Sequence, residues 1–292
     1  MRKRALITLG CSFTEGVGCY NYEELPAGKS VNNLSQSEFD EYYGTQLDNF
    51  LDGSWGTHLQ KLLGYDLHIN CGIGGSANSH QLKNFMDTMV EWPDLSNYDV
   101  LVIWQMTYSH RFSFYHGDIP LTYGFNNTID LKNLKLDDEN TIGSYNNFVK
   151  SFVIRMNDAG LDTSMAFESL FYLRCFIDIC KSKGYDFLFS TVGDIPLDNV
   201  ILEYLNEEYL SKFIRIADHN EFHSPLHYAF INNMPIAHCG HPMSQGYSQM
   251  ATAYFNWITD YDETLSHTST GKFIQIPMNR DYHIVDKNKR LK

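Results

Sequence analysis

Positive charge is scarce in this sequence: 22 Lys and Arg stand against 35 Asp and Glu, a formal net charge of −13 over 292 residues. A surface with that balance repels phosphate backbones and anionic lipid heads, so neither a nucleic acid nor a membrane is expected as a partner. Long apolar runs are also lacking. None approaches the roughly 20 residues of a membrane span. The basic start MRKRALITLG carries an apolar run of only about six residues, short of a signal-peptide core. The chain therefore reads as soluble and made in the cytoplasm. The six cysteines (Cys11, Cys19, Cys71, Cys175, Cys180 and Cys239) include no CxxC pair. They fit neither a zinc ribbon nor a disulfide scaffold, and reduced, buried thiols are expected. Internal repeats and low-complexity linkers are absent as well. What is plentiful is core material, with 43% hydrophobic and 14% aromatic residues, enough for a single domain over 1–292.

Four short apolar runs have the character of strands buried on both faces: ALITL (5–9), DLHIN (66–70), DVLVIW (99–104) and DFLFST (186–191). Helical patterns lie between and after them. Leu82, Phe85, Met86, Met89 and Val90 recur at helical spacing before Trp92-Pro93. A second pattern runs from about Ser164 to Lys183, stopped by Gly184, and a third from Ser244 to about Trp257. This alternation predicts an α/β fold with a parallel sheet between helix layers, whose sites sit at the carboxyl ends of the strands. Stretches 20–54 and 109–145, rich in Asn, Asp, Gly and Tyr, lack sustained periodicity. They read as insertions above that edge, where a lid or substrate groove belongs. The tail from about 267 reads as an extended arm.

Three segments at predicted strand ends carry chemistry. In Gly10-Cys11-Ser12-Phe13-Thr14-Glu15-Gly16, Ser12 is presented at the end of the first strand, where it can act as a nucleophile with turn N–H groups receiving the charge. The alternative is that Ser12 and Thr14 only cap the next helix. In NCGIGGSANSH (70–80), the glycines allow close backbone approach, and the Gly75 N–H is a candidate oxyanion donor. A nucleotide loop is disfavoured, because the GxGxxG spacing and a P-loop lysine are both missing. In HCGHPMSQGYSQMA (238–251), Pro242 stiffens the backbone beside His241 just before the last helix. His219, His223 and His227 recur at intervals that suggest zinc, but Pro225 interrupts the helix that would align them, and no HExxH completes a site.

Together these segments resemble the SGNH (GDSL-type) hydrolase family, through Gly10, Ser12, Thr14 and Gly16, then Asn70, Gly72 and Gly75, then His241-Pro242 and Gly246. The resemblance implies a flavodoxin-like three-layer sandwich around a central parallel sheet of about five strands. It also implies Ser12 as nucleophile, His241 as general base, and the N–H groups of Ser12 and Gly75 as oxyanion donors. Three positions depart from the family pattern. Cys11 replaces an aspartate, Thr107 stands where an asparagine gives the third oxyanion donor, and His238 stands where the triad acid belongs. Either the site runs as a Ser-His dyad with a backbone carbonyl orienting His241, or Asp218 or Glu221 supplies the missing acid. The implied activity is hydrolysis of a short-chain acyl ester on a small molecule or glycan, with O-acetyl groups on a carbohydrate as the leading substrate and no cofactor or metal. Tyr108, Phe112, Phe114, Tyr115 and Tyr123 are candidates to stack on sugar rings. WQMTYSHR with GCSFTEG is similar to members of the family from tailed bacteriophages and their hosts, which implies a cytoplasmic or virion-associated protein. The competing expectation is a degenerate module that keeps the fold for binding or structure, with a metal-dependent hydrolase behind it.

Overall fold

In the computed structural model the described residues are 2–20, 25, 28–29, 34–91, 93–116, 119–123, 162–218, 221–231, 234–237, 240–264 and 274–275. The chain enters through β1 (Lys3–Gly10) and turns at once into a single helical turn, α1 (Ser12–Glu15). Next come α2 (Gln36–Thr45), α3 (Leu47–Gly53), α4 (Trp55–Leu63), β2 (Leu67–Gly72), α5 (Asn78–Glu91) and β3 (Tyr98–Met106). A hairpin of β4 (Phe112–His116) and β5 (Ile119–Tyr123) precedes α6 (Asp162–Lys183), β6 (Asp186–Thr191), α7 (Ile195–Tyr204) and the short α8 (Glu207–Leu210). The chain continues through β7 (Ile216–Asp218), β8 (Glu221–His223), α9 (Pro225–Ile231), α10 (Ser244–Thr264) and β9 (Ile274–Gln275).

The central sheet has four strands in the order β2-β1-β3-β6, all parallel. Its register places Gly10 beside Gly72 and Leu9 beside Trp104. The chain thus ends three neighbouring strands at one edge, where the loops meet. The sequence reading of about five strands is corrected to four. The fifth position, at 212–214, makes a single parallel bridge, Phe213 to Phe189, closed by hydrogen bonds of 3.1 and 2.7 Å. Lys212 and Phe213 lie directly after the α8 turn, whose last carbonyls still accept from their N–H groups. The backbone is free to pair with β6 over too few residues for a strand.

Alternation along β1 divides the core. Ala5, Ile7 and Leu9 pack with Leu82 and Phe85 of α5, Leu173 and Phe176 of α6, and Leu197 and Ile201 of α7. Leu6 turns to the opposite face, where Trp55 and Leu59 of α4, Leu226 of α9, and Tyr247, Met250 and Tyr254 of α10 cover it. This is the three-layer, flavodoxin-like α/β sandwich. Crossover helix α4 is well delimited. The Ser54 side chain accepts from the Thr57 N–H at its start, and Gly64 adopts the left-handed conformation at its end.

The first expected insertion is more ordered than its sequence suggests: from Gln36 onward it is helical and leads into α4. Tyr20 meets Tyr42 and Phe50 ring to ring, which ties this segment to the core below α10. In the second, β4 and β5 pair antiparallel. The side chains of Phe112, Phe114, Tyr115 and Tyr123, residues 124–161 and the arm, apart from β9, lie outside the described residues. Pro225 opens α9 instead of breaking a longer helix, with Ser224 Oγ capping the His227 N–H at 3.1 Å. Among the described residues, no helix is long and apolar enough to cross a membrane.

Candidate active site

At the carboxyl end of β1 the extended strand stops at Cys11, whose carbonyl accepts from the N–H groups of Thr14 and Glu15 at 2.9 and 3.0 Å. That turn starts α1 and places Ser12 at its first position. The β2 loop supports it from one side. Asn70 Nδ2 donates to the Thr14 carbonyl at 2.9 Å, and Asn70 Oδ1 accepts from the Gly72 N–H at 2.9 Å. The Gly10 carbonyl receives the Ile73 N–H at 3.0 Å and the Ser76 hydroxyl at 3.4 Å. Gly75 sits at the crest of this turn at φ +72°, with open space where a Cβ would be.

His241 arrives from the far end of the chain on a backbone hairpin. Ile236 and Pro242 form an antiparallel bridge, the Ala237 N–H donates to the His241 carbonyl at 2.8 Å, and the Met243 N–H donates to the Pro235 carbonyl at 2.9 Å. The hairpin can approach the α1 turn because residue 18 is glycine at φ +110°; a Cβ there would lie 2.4 Å from the Pro242 carbonyl oxygen and 3.1 Å from His241 Cβ. The Tyr247 hydroxyl fixes the same contact by donating to the Val17 carbonyl at 2.6 Å.

These constraints bring His241 Nε2 to 2.7 Å from Ser12 Oγ, although the two residues are 229 positions apart. Phe13 packs against the imidazole with ring centroids 4.8 Å apart, leaving it partly exposed, while Ser12 is only 8% exposed. A histidine whose Nε2 meets a serine hydroxyl at this distance can take the hydroxyl proton as the oxygen attacks. Below the pair runs a buried polar chain. Thr14 Oγ1 donates to Gln105 Oε1 at 3.2 Å, Gln105 Nε2 donates to the Tyr254 hydroxyl at 3.5 Å, and that hydroxyl lies 2.6 Å from Ser190 Oγ.

The β3 loop forms the third side. Thr107 is fully buried, and among the described residues its hydroxyl meets no hydrogen-bond partner. Both its backbone polar groups are held by Asn78 at the start of α5. Two residues on, the Ser109 N–H donates to the carboxylate of Asp194, the buried N-cap residue of α7, whose side chain makes no capping bond to the helix. Tyr108 lies between, its ring stacked with His110 at 5.2 Å and under the Arg111 guanidinium at 5.5 Å. Burial pushes the Tyr108 phenol up, and the Arg111 charge partly opposes this.

Of the residues singled out from sequence, Ser12 and His241 are brought together. Gly75 and Thr107 lie in the loops on either side of the β1 end. His238 lies outside the described residues. Asp218 and Glu221 face each other in backbone register across the β7–β8 hairpin, and their side chains lie outside the described residues. Sequence reasoning missed Asn78 and Asp194. An asparagine directly after a glycine-rich loop was a usable signal for the first, and nothing local marks the second. No family model matches the chain, and no curated protein matches it.

Proposed function

We propose that the protein is a serine esterase of the SGNH type that hydrolyses a short-chain acyl ester, with O-acetyl groups on a carbohydrate as its substrate class. The single observation that carries this is the 2.7 Å approach of His241 Nε2 to Ser12 Oγ at the carboxyl edge of the sheet. Ser12 Oγ attacks the acyl carbonyl while His241 Nε2 takes its proton. The charge that develops on the carbonyl oxygen is met by the N–H groups of Ser12 and Gly75 and by the Thr107 hydroxyl, which has no other hydrogen-bond partner among the described residues. Collapse of the tetrahedral intermediate breaks the ester C–O bond, and His241 returns the proton to the departing alcohol. Water, activated by the same imidazole, then releases the acid and restores Ser12. The narrow access to Ser12, 8% exposed, supports a small acyl group over a long one.

The test is the rate of p-nitrophenyl acetate hydrolysis by the native protein, Ser12→Ala and His241→Ala. Each substitution should reduce kcat by roughly a thousandfold or more, as when either member of a working pair is removed. Native-like rates in both variants would exclude the pair from the chemistry.

A further inference from the structure

Asn78 holds an unusual position between three elements. It opens α5, it is 1% exposed, and its amide reaches across to the end of β3. Oδ1 accepts the Thr107 N–H at 2.9 Å, while Nδ2 donates to the Thr107 carbonyl at 3.2 Å and to Ser169 Oγ of α6 at 3.1 Å. A carboxamide has two N–H hydrogens, and here both have acceptors. Asn78 therefore does not replace the missing asparagine as an oxyanion donor, although its residue type invites that assignment.

What Asn78 does is engage the backbone N–H and carbonyl of Thr107, while the hydroxyl is the one polar group of that residue without a partner among the described residues. A buried hydroxyl in a closed packing environment is normally satisfied, because leaving it unpaired forfeits its hydration. Here Asn78 takes both backbone polar groups of Thr107, so the main chain that carries the hydroxyl is held in place. The same loop is pinned on its other side by Asp194 at the Ser109 N–H, and the Val192 N–H donates to the Met106 carbonyl at 3.0 Å. The loop is thus preorganised at one atom and satisfied at the others, as a site built to receive charge only during reaction requires.

We propose that Asn78 is the positioning residue of the oxyanion site, holding Thr107 so that its hydroxyl is kept for the acyl oxygen of the substrate. This rests on the esterase reading above. A merely structural asparagine would lower stability and leave the kinetics of the folded protein alone, or would lower activity independently of Thr107. A positioning residue acts through Thr107 and nothing else.

The experiment is a double-mutant cycle on p-nitrophenyl acetate kinetics with Asn78→Ala, Thr107→Val and the double variant. Each single substitution should lower kcat by roughly ten- to a thousandfold with KM changed by less than about threefold, the signature of a contact made in the transition state. The double variant should be no slower than the slower single one. Multiplying effects, a change confined to KM, or native kcat in Asn78→Ala or in Thr107→Val would overturn the proposal. If Asn78→Ala does not fold, Ser169→Ala decides. It removes one anchor of Nδ2, should lower kcat several-fold, and should have no further effect in a Thr107→Val background; an effect of equal size in both backgrounds would count against the clamp. Labelling of Ser12 by a fluorophosphonate separates the two ideas. Native protein that neither labels nor hydrolyses ends the esterase reading itself, whereas a native enzyme that does both while the cycle is additive ends only the role of Asn78.

Discussion

At the scale of single residues, the site is assembled by groups that touch backbone more than they touch each other. Asn70 on β2 and Asn78 at the start of α5 act alike: each carboxamide bonds both a donor and an acceptor of the main chain. Ser12 and His241 were legible in the sequence because short motifs flank them and fix local backbone geometry. Asn78 was marked only by its place after a glycine-rich loop and Asp194 by nothing local, because their partners lie 29 and 85 positions away and are N–H groups, which no residue type announces. Cys11 is fully buried against the core below α10, where an ionised aspartate would require a partner and a thiol does not. In the proposed mechanism the imidazolium of His241 is steadied either by a carboxylate or by none. If Asp218 or Glu221 does so, Asp218→Asn or Glu221→Gln should reduce kcat by up to about ten-thousandfold, as for a triad acid, and His238→Asp should bring no gain. Activity unchanged in both, with a gain in His238→Asp, would show that the site works without a carboxylate.

At the scale of elements, two partly buried titratable groups pull stability in opposite directions over the same pH window. His68 on β2 lies 2.9 Å from Thr8 Oγ1 at Nε2 and 3.2 Å from Thr57 Oγ1 at Nδ1. The Thr57 hydroxyl is already committed as donor to the Leu51 carbonyl at 2.6 Å, so Nδ1 carries the proton and Nε2 accepts. Burial lowers the pKa of this neutral imidazole to about 4. The unfolded chain therefore binds more protons between about pH 6.5 and 4, and stability from His68 is lost as pH falls through that range. Asp198 on α7 accepts from Thr191 Oγ1 at 2.7 Å, yet burial raises its pKa to about 6, against the pull of Arg215. Here the folded state binds the extra proton, so stability is gained as pH falls from about 6 to 4. Each contribution is on the order of 3 kcal/mol at its limit, and the two largely offset. Urea unfolding at pH 7 and 4.5 should show His68→Gln gaining relative stability at the lower pH and Asp198→Asn losing its relative advantage there. Parallel shifts in both variants would contradict these assignments.

The same scale explains which elements the sequence concealed. The strands β1, β3 and β6 and the helices α5, α6 and α10 show their period because each is buried by a regular face. Helices α2 and α3 do not, since their fixed points are isolated rings, Tyr42 and Phe50, held by Tyr20 from a distant turn. α7 carries a proline in its first turn and buries Leu197, Val200 and Ile201 while exposing Ile195, so apolar residues fall on both sides.

For the molecule as a whole, a four-stranded parallel sheet between two helix layers brings residues from both ends of the chain to one edge, where Ser12 is 8% exposed; on the proposed function, substrate would enter there. Short acyl chains should therefore be preferred. Across p-nitrophenyl esters, kcat/KM should fall by roughly tenfold or more from acetate to octanoate, because each added methylene must find apolar space beside a serine that is only 8% exposed. A rate that rises with chain length would contradict a carbohydrate O-acetyl substrate. The account stands or falls on whether Ser12 is a nucleophile activated by His241, and intact-mass measurement after exposure to a fluorophosphonate reads this most directly. Native protein should gain one probe mass less hydrogen fluoride, mapped to Ser12; Ser12→Ala should gain none, and His241→Ala should label at least a hundredfold more slowly. No adduct on the native protein, or an equal adduct on Ser12→Ala, would contradict the esterase mechanism.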